Sequence, residues 1–141
     1  MAEIREAVFS WLTAGAGVIS TLGNRVYPRK AAQDAAYPHA VYEQTAHEQA
    51  RSMRRYLNLY GWAADWHVHG ETEAQVRAAA VALRDRLLEL NTPGAIGAGA
   101  FTVLSVRFDG DESDSFEPPV DADENGVHTV DLSCVIHYRR G

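Results

Sequence analysis

Along residues 62–69 apolar and polar positions alternate: Trp62, Ala64, Trp66 and Val68 fall on one side, Asp65, His67 and His69 on the other. A period of two is that of a strand with one face in a core and one in water. The period then changes. Val76, Ala80, Leu83, Leu87 and Leu90 recur at steps of three and four, the apolar stripe of an amphipathic helix. Thr72 is placed to cap its first turn, and Gln75, three residues on, to reach back and complete a capping box. The remaining pattern is read around this strand-to-helix unit.

A first helix is expected from Glu3 to Leu22, with Ile4, Ala7, Val8, Trp11, Leu12, Val18 and Ile19 inward and Gly23 as its stop. Gly15 and Gly17 each cost about 1 kcal/mol against alanine in a helix interior, so close packing or a break is expected there. Arg25 to Pro28 reads as a short extended piece, because Pro28 and Pro38 push their preceding residues away from helix. A strand from Pro38 to His47 is expected to pair with one from Arg55 to His69. Leu57 and Leu59 are out of phase with Trp62 and Trp66, which a bulge at Gly61 would reconcile. Residues 91–99 form a small-residue turn region. Phe101–Phe108 and Val127–Arg139 then read as strands, with core faces Leu104, Val106, Phe108 and Val130, Leu132, Cys134, Ile136, Tyr138. The expected fold is α+β: a two-layer sandwich with a mainly antiparallel sheet of about four to five strands and two helices on one face.

At 141 residues the chain is expected to form one domain, residues 1–141, burying roughly 68% of its unfolded surface. The single cysteine, Cys134, lies in an apolar alternation and reads as a small buried hydrophobe. Met1 to Glu6 carries acids where a signal peptide is basic, and no apolar run approaches the roughly 20 residues that span a bilayer, so a cytosolic, membrane-free protein is expected. The formal charge of −6 opposes binding to phosphate backbones. That charge is concentrated: residues 109–125 hold eight carboxylates (Asp109, Asp111, Glu112, Asp114, Glu117, Asp121, Asp123, Glu124) and no lysine or arginine. They repel one another, Phe116 is the only large apolar residue between Asp109 and Pro119, and Pro118-Pro119 cannot continue a central strand. The stretch is therefore expected to be a mobile loop that contacts a partner or lines a channel.

Candidate chemistry is sparse. Asp121-Ala122-Asp123-Glu124-Asn125-Gly126 matches the first half of a calcium-binding loop, but the twelfth position, where a bidentate glutamate belongs, is Leu132. Asp65, His67 and His69 share a strand face and could hold a catalytic zinc; a wet sheet face is the simpler reading. Gly94, Gly97 and Gly99 follow a helix and precede a strand, the reverse of a phosphate-binding turn. No set of residues supplies a nucleophile, a base and an orienting acid, so no catalytic residue, metal or cofactor is assigned. Arg51, Arg54 and Arg55 before Tyr56 form a basic cluster read as a hairpin turn, with an acidic protein surface as its candidate partner.

The order of these elements carries a resemblance. An N-terminal helix, Arg25-Val26-Tyr27-Pro28, a gap, Tyr37-Pro38-His39-Ala40-Val41-Tyr42, a strand running into a helix near Thr72, and a last strand ending in an aromatic and basic tail resemble the tail-completion or tail-terminator proteins of long-tailed bacteriophages. The resemblance implies a structural protein that caps the finished tail tube and joins it to the head. It would act as a homo-oligomeric ring, typically a hexamer, in contact with the tail tube protein and head-tail connector proteins. It also implies a place at the head-proximal end of the virion tail, after assembly in the host bacterial cytoplasm. An acidic ring would let DNA pass without binding it. The alternatives are a head-side neck connector of the same particle and a small metal-dependent enzyme using Asp65, His67 and His69.

Overall fold

The computed structural model describes residues 3–30, 36–91, 95–97, 99–108, 113–118 and 126–140. In chain order it has α1 (Ile4–Thr13), α2 (Ala16–Thr21), β1 (Val26–Pro28), β2 (His39–Arg51), β3 (Tyr56–Gly70), α3 (Glu73–Leu88) with a 3-10 turn (Glu89–Asn91), β4 (Ala95–Ile96), β5 (Phe101–Phe108), β6 (Ser113–Glu117) and β7 (Val127–Arg140). The seven strands form one sheet in the order β1-β2-β3-β7-β5-β4, with β6 also paired to β7. β1 runs parallel to β2, and the other pairings are antiparallel. The α+β sandwich expected from the alternation is thus present. Its four long strands are β2, β3, β5 and β7; the additional three are short edge pieces.

The strand-to-helix unit lies at the centre. Trp62, Ala64, Trp66 and Val68 are buried, and so are Val76, Ala79, Ala80, Leu83, Leu87 and Leu90 of the helix stripe. They share one cluster with Leu132, Cys134, Ile136 and Tyr138 of β7 and with Ile4, Val8, Leu12 and Val18 of the first two helices. The buried indoles keep partners: Trp62 Nε1 donates to Gln44 Oε1 at 2.8 Å and Trp66 Nε1 to the Cys134 sulfur at 3.1 Å. Thr72 caps α3 by accepting from the Gln75 N–H. The Gln75 side chain reaches back to Glu71 N–H, one residue earlier than a standard capping box.

Four expectations need correction. The first is the placement of Ile19: the helix is cut at Ala14–Gly15 into α1 and α2, the break expected there. Close packing accompanies the break: a Cβ on Gly15 would lie 2.6 Å from Arg86 Cδ. Past it the helical phase changes, so Ile19 is 55% exposed rather than inward. No bulge occurs at Gly61, whose register with His137 is regular. The irregularities fall instead between Gln44 and Ala46, where the extra residue is on β2, and between the pairs Gln49–Tyr60 and Arg51–Tyr56, where β3 carries more residues than β2. Leu104 is exposed because β5 shifts register between Val103 and Ser105, which places Phe101, Val103 and Val106 in the core.

The fourth correction concerns the acidic stretch. Residues 113–117 are a strand, not part of a free loop. β5 accompanies β7 only from Arg140 back to Cys134, which would leave the first half of that β7 edge without backbone partners. β6 fills the gap, pairing Ser113 with Asp131 through Glu117 with Val127. Phe116 makes this possible, its ring lying 4.5 Å from that of His128 and against Gly126.

Candidate assembly surfaces

Among the described residues, helices cover one face of the sheet and leave the other open. On the open face β3 and β7 are joined by a row of cross-strand hydrogen bonds. Ser133 Oγ donates to Asp65 Oδ1 at 2.7 Å, His67 Nδ1 meets Asp131 Oδ1, and His69 Nδ1 lies 2.9 Å from Thr129 Oγ1. Further along β7, past Val135, His137 Nδ1 lies 3.3 Å from Ser105 Oγ of β5. Asp65, His67 and His69 therefore share a face, as the alternation requires, but each turns to a different residue of β7. Among the described residues no three His, Cys, Asp or Glu side chains come together as a metal site.

One end of this row is drier. His39 of β2 pairs with His69 across the sheet and their rings lie 5.2 Å apart, while Tyr37 stacks on His39 at 5.0 Å. Tyr37 is joined to Pro38 by a cis peptide bond. Burial is the main cause holding both imidazoles below their ordinary pKa; beyond it, Arg25 opposes protonation of His39, and His39 and His67 oppose it at His69. Arg25 also ties this corner together: Nε donates to Pro38 O at 2.8 Å and Nη2 to Thr21 O at 3.2 Å. The residues that carried the family resemblance, Arg25 to Pro28 and Tyr37 to Tyr42, thus meet as β1, β2 and the link between them.

The basic cluster sits where the sequence places it, at the tip of the β2–β3 hairpin. Ser52 N–H donates to Arg55 O at 2.8 Å to close the turn. Arg51, Arg54, Arg55 and Tyr56 are exposed and Met53 is fully so, at 103% of its reference area. From residue 49 to residue 64 the chain has three arginines and no carboxylate.

At the opposite end of β3 lies a cleft of about 380 Å³ between the start of α3 and the β6–β7 pair, lined by Glu73, Val76, Arg77, Ser115, Phe116, His128, Thr129 and Val130. Its surface is mainly apolar, and Phe116 is 53% exposed at its wall. Glu73 and Arg77 pair on the rim at 2.9 Å. Sequence reasoning missed this cleft, although a lone phenylalanine among acids, followed by a glycine ten residues on, was its trace. Of the eight carboxylates, Glu117 is exposed on β6 and Asp114 lies on the same strand. Asp109, Asp111, Glu112, Asp121, Asp123 and Glu124, and the calcium-like half-loop up to Asn125, fall outside the described residues.

Fold and surfaces together define a two-layer α+β domain with no assembled catalytic constellation among its described residues, an open polar sheet face, a basic hairpin at one pole and an apolar cleft at the other. No family model and no curated protein matches the chain. Among solved structures it is similar to a chain of the "Virion of native gene transfer agent (GTA) particle", with a TM-score of 0.60 at 15% identity, over 96% of this chain and 94% of that one. At this identity the likeness shows a shared fold, and it runs almost end to end.

Proposed function

We propose that this chain is a structural protein of a phage or prophage particle, a single tail-terminator-like domain of residues 1–141 that caps the completed tail tube and joins it to the head as an oligomeric ring. The observation that carries this reading is the end-to-end likeness in fold to a chain of a gene transfer agent virion. Three features support the finer assignment. The element order resembles that of the tail-completion proteins of long-tailed bacteriophages. The open sheet face and the projecting hairpin offer surfaces to neighbouring copies, to the tube protein and to connector proteins. The net charge of −6 suits a ring through which DNA passes without being held.

A head-side neck connector would carry the same fold likeness; finding genes for tube and tape-measure proteins beside this one would favour the terminator. The metal-enzyme reading is disfavoured because Asp65, His67 and His69 are each engaged by a separate β7 residue. Native mass spectrometry over a concentration series, with and without assembled tubes, tests the proposal. A closed ring, with six copies expected, supports it. A chain that neither self-associates nor binds tubes under any condition removes it.

A further inference from the structure

The hairpin tip presents an exposed methionine among arginines and the cleft an apolar hollow beside carboxylates, and we infer that they are the two halves of one contact between successive copies. This rests on the ring reading above and names the surface that would build it. At the tip, Met53 stands fully exposed, flanked by Arg51, Arg54 and Arg55 with no carboxylate nearby in sequence. Methionine is unbranched and polarizable, a side chain suited to filling an irregular apolar gap. The cleft offers about 380 Å³ between Val76 and the exposed Phe116 ring, room for Met53 together with part of an arginine stem. The β6 strand that forms its wall holds two carboxylates, Asp114 and the exposed Glu117, and no basic residue. The rim pair of Glu73 and Arg77 cancels itself, so the β6 side sets the local sign. Positive apolar knob therefore faces negative apolar socket.

The two halves cannot meet within one molecule. The tip leads into β3 at Tyr56, and the cleft lies beyond Gly70, where β3 ends and α3 begins. Fourteen steps of strand at about 3.3 Å each separate them by roughly 46 Å. Partner surfaces at opposite poles make a head-to-tail contact, which closes into a ring when the rotation between copies allows and otherwise extends into a filament. A second copy of this chain is thus the occupant of the cleft.

The test uses the full chain. Met53→Asp with Arg54→Glu spoils the knob, and Ser115→Trp fills the socket; both sites are exposed, and circular dichroism melts confirm folding. Each variant alone is expected to associate at least 10-fold more weakly than the parent. Mixing them is expected to restore a 1:1 dimer, because one intact knob then meets one intact socket. As a second readout, Met53→Cys and Ser115→Cys chains are mixed under mild oxidation and should cross-link to each other but not to themselves. Parent rings with unaffected variants, or a Met53→Cys chain that cross-links to itself, overturn this contact while leaving the ring reading standing. Variants that keep rings but lose tube capture would also overturn it, moving the tip to the tube. A parent that stays monomeric even with tubes removes both.

Discussion

The break in the first helix and the anchoring of α3 are two sides of one contact, and a double-mutant cycle measures it. Arg86 Nε donates to Trp11 O at 2.9 Å, Trp11 Nε1 donates back to Arg86 O at 3.1 Å, and the guanidinium carbon lies 3.6 Å from the centre of the indole ring. The Arg86 side chain is only 17% exposed, so this charge-assisted hydrogen bond is worth about 1.5–3 kcal/mol and the cation–π contact about 0.5–2 kcal/mol. The pairing of Arg86 with the exposed Glu89 adds less than about 1 kcal/mol. The terms overlap, so Arg86→Ala should cost about 2–4 kcal/mol. With about 2.1 cal/mol/K of unfolding entropy per residue over 141 residues, each kcal/mol moves the melting midpoint by roughly 3 °C, so the expected loss is about 7–13 °C. Gly15 has φ −76 and ψ 132, which alanine adopts without strain. Its Cβ would nevertheless lie 2.6 Å from Arg86 Cδ and 2.7 Å from Nε. Gly15→Ala should therefore displace the arginine and cost up to as much as Arg86→Ala, whereas with Arg86 already removed it should stay within about 0.5 kcal/mol. Calorimetric melts of the parent, both single variants and the double give the coupling, expected at about 1–3 kcal/mol. Additive costs would refute the assigned contact.

Three further expectations follow from the packing and the titratable groups. A Cβ at Gly126 would overlap the Phe116 ring and lie 2.7 Å from the Glu117 carbonyl oxygen; Gly126→Ala should therefore release β6, seen as lost amide protection at residues 113–117 with residues 132–138 still protected, and equal protection in both would refute the account of that strand. Leu83 is fully buried, so Leu83→Ala should cost about 2–5 kcal/mol, and an unchanged melting midpoint would put the α3 stripe on the wrong face. His39, His47 and His69 are held below their ordinary pKa chiefly by burial. The unfolded chain therefore binds more protons, and stability that is full above about pH 6.5 should fall as pH drops from there toward the folded values. Urea midpoints at pH 8 and pH 5.5 check the sign, and His69→Gln should flatten the slope.

The parts of the fold legible in sequence were those in which one period runs uninterrupted. The alternation from Trp62 to Val68, the stripe from Val76 to Leu90 and the β7 face from Val130 to Tyr138 all lie in the core where the pattern places them. What could not be read depends on contacts between elements distant in sequence. Nothing near Gly15 announces Arg86, 71 positions away, and nothing near Leu104 reveals the register shift that its pairing with β7 imposes. β6 is the same case: residues 113–117 have the composition of solvated chain, and become a strand because β7 offers an edge that β5 leaves bare. For the surfaces, the basic tip was legible because Arg51, Arg54 and Arg55 cluster locally. The cleft was not, since its walls come from α3, β6 and β7.

The claim that this chain closes a tail tube is tested most directly by the tubes themselves. Particles assembled with and without the chain can be measured in electron micrographs, with a tag on the chain marking its position. The account predicts the tag as a ring at the head-proximal end of each tube and, without the chain, tubes that overgrow and remain unattached to heads. Tubes of normal length joined to heads in its absence would contradict it.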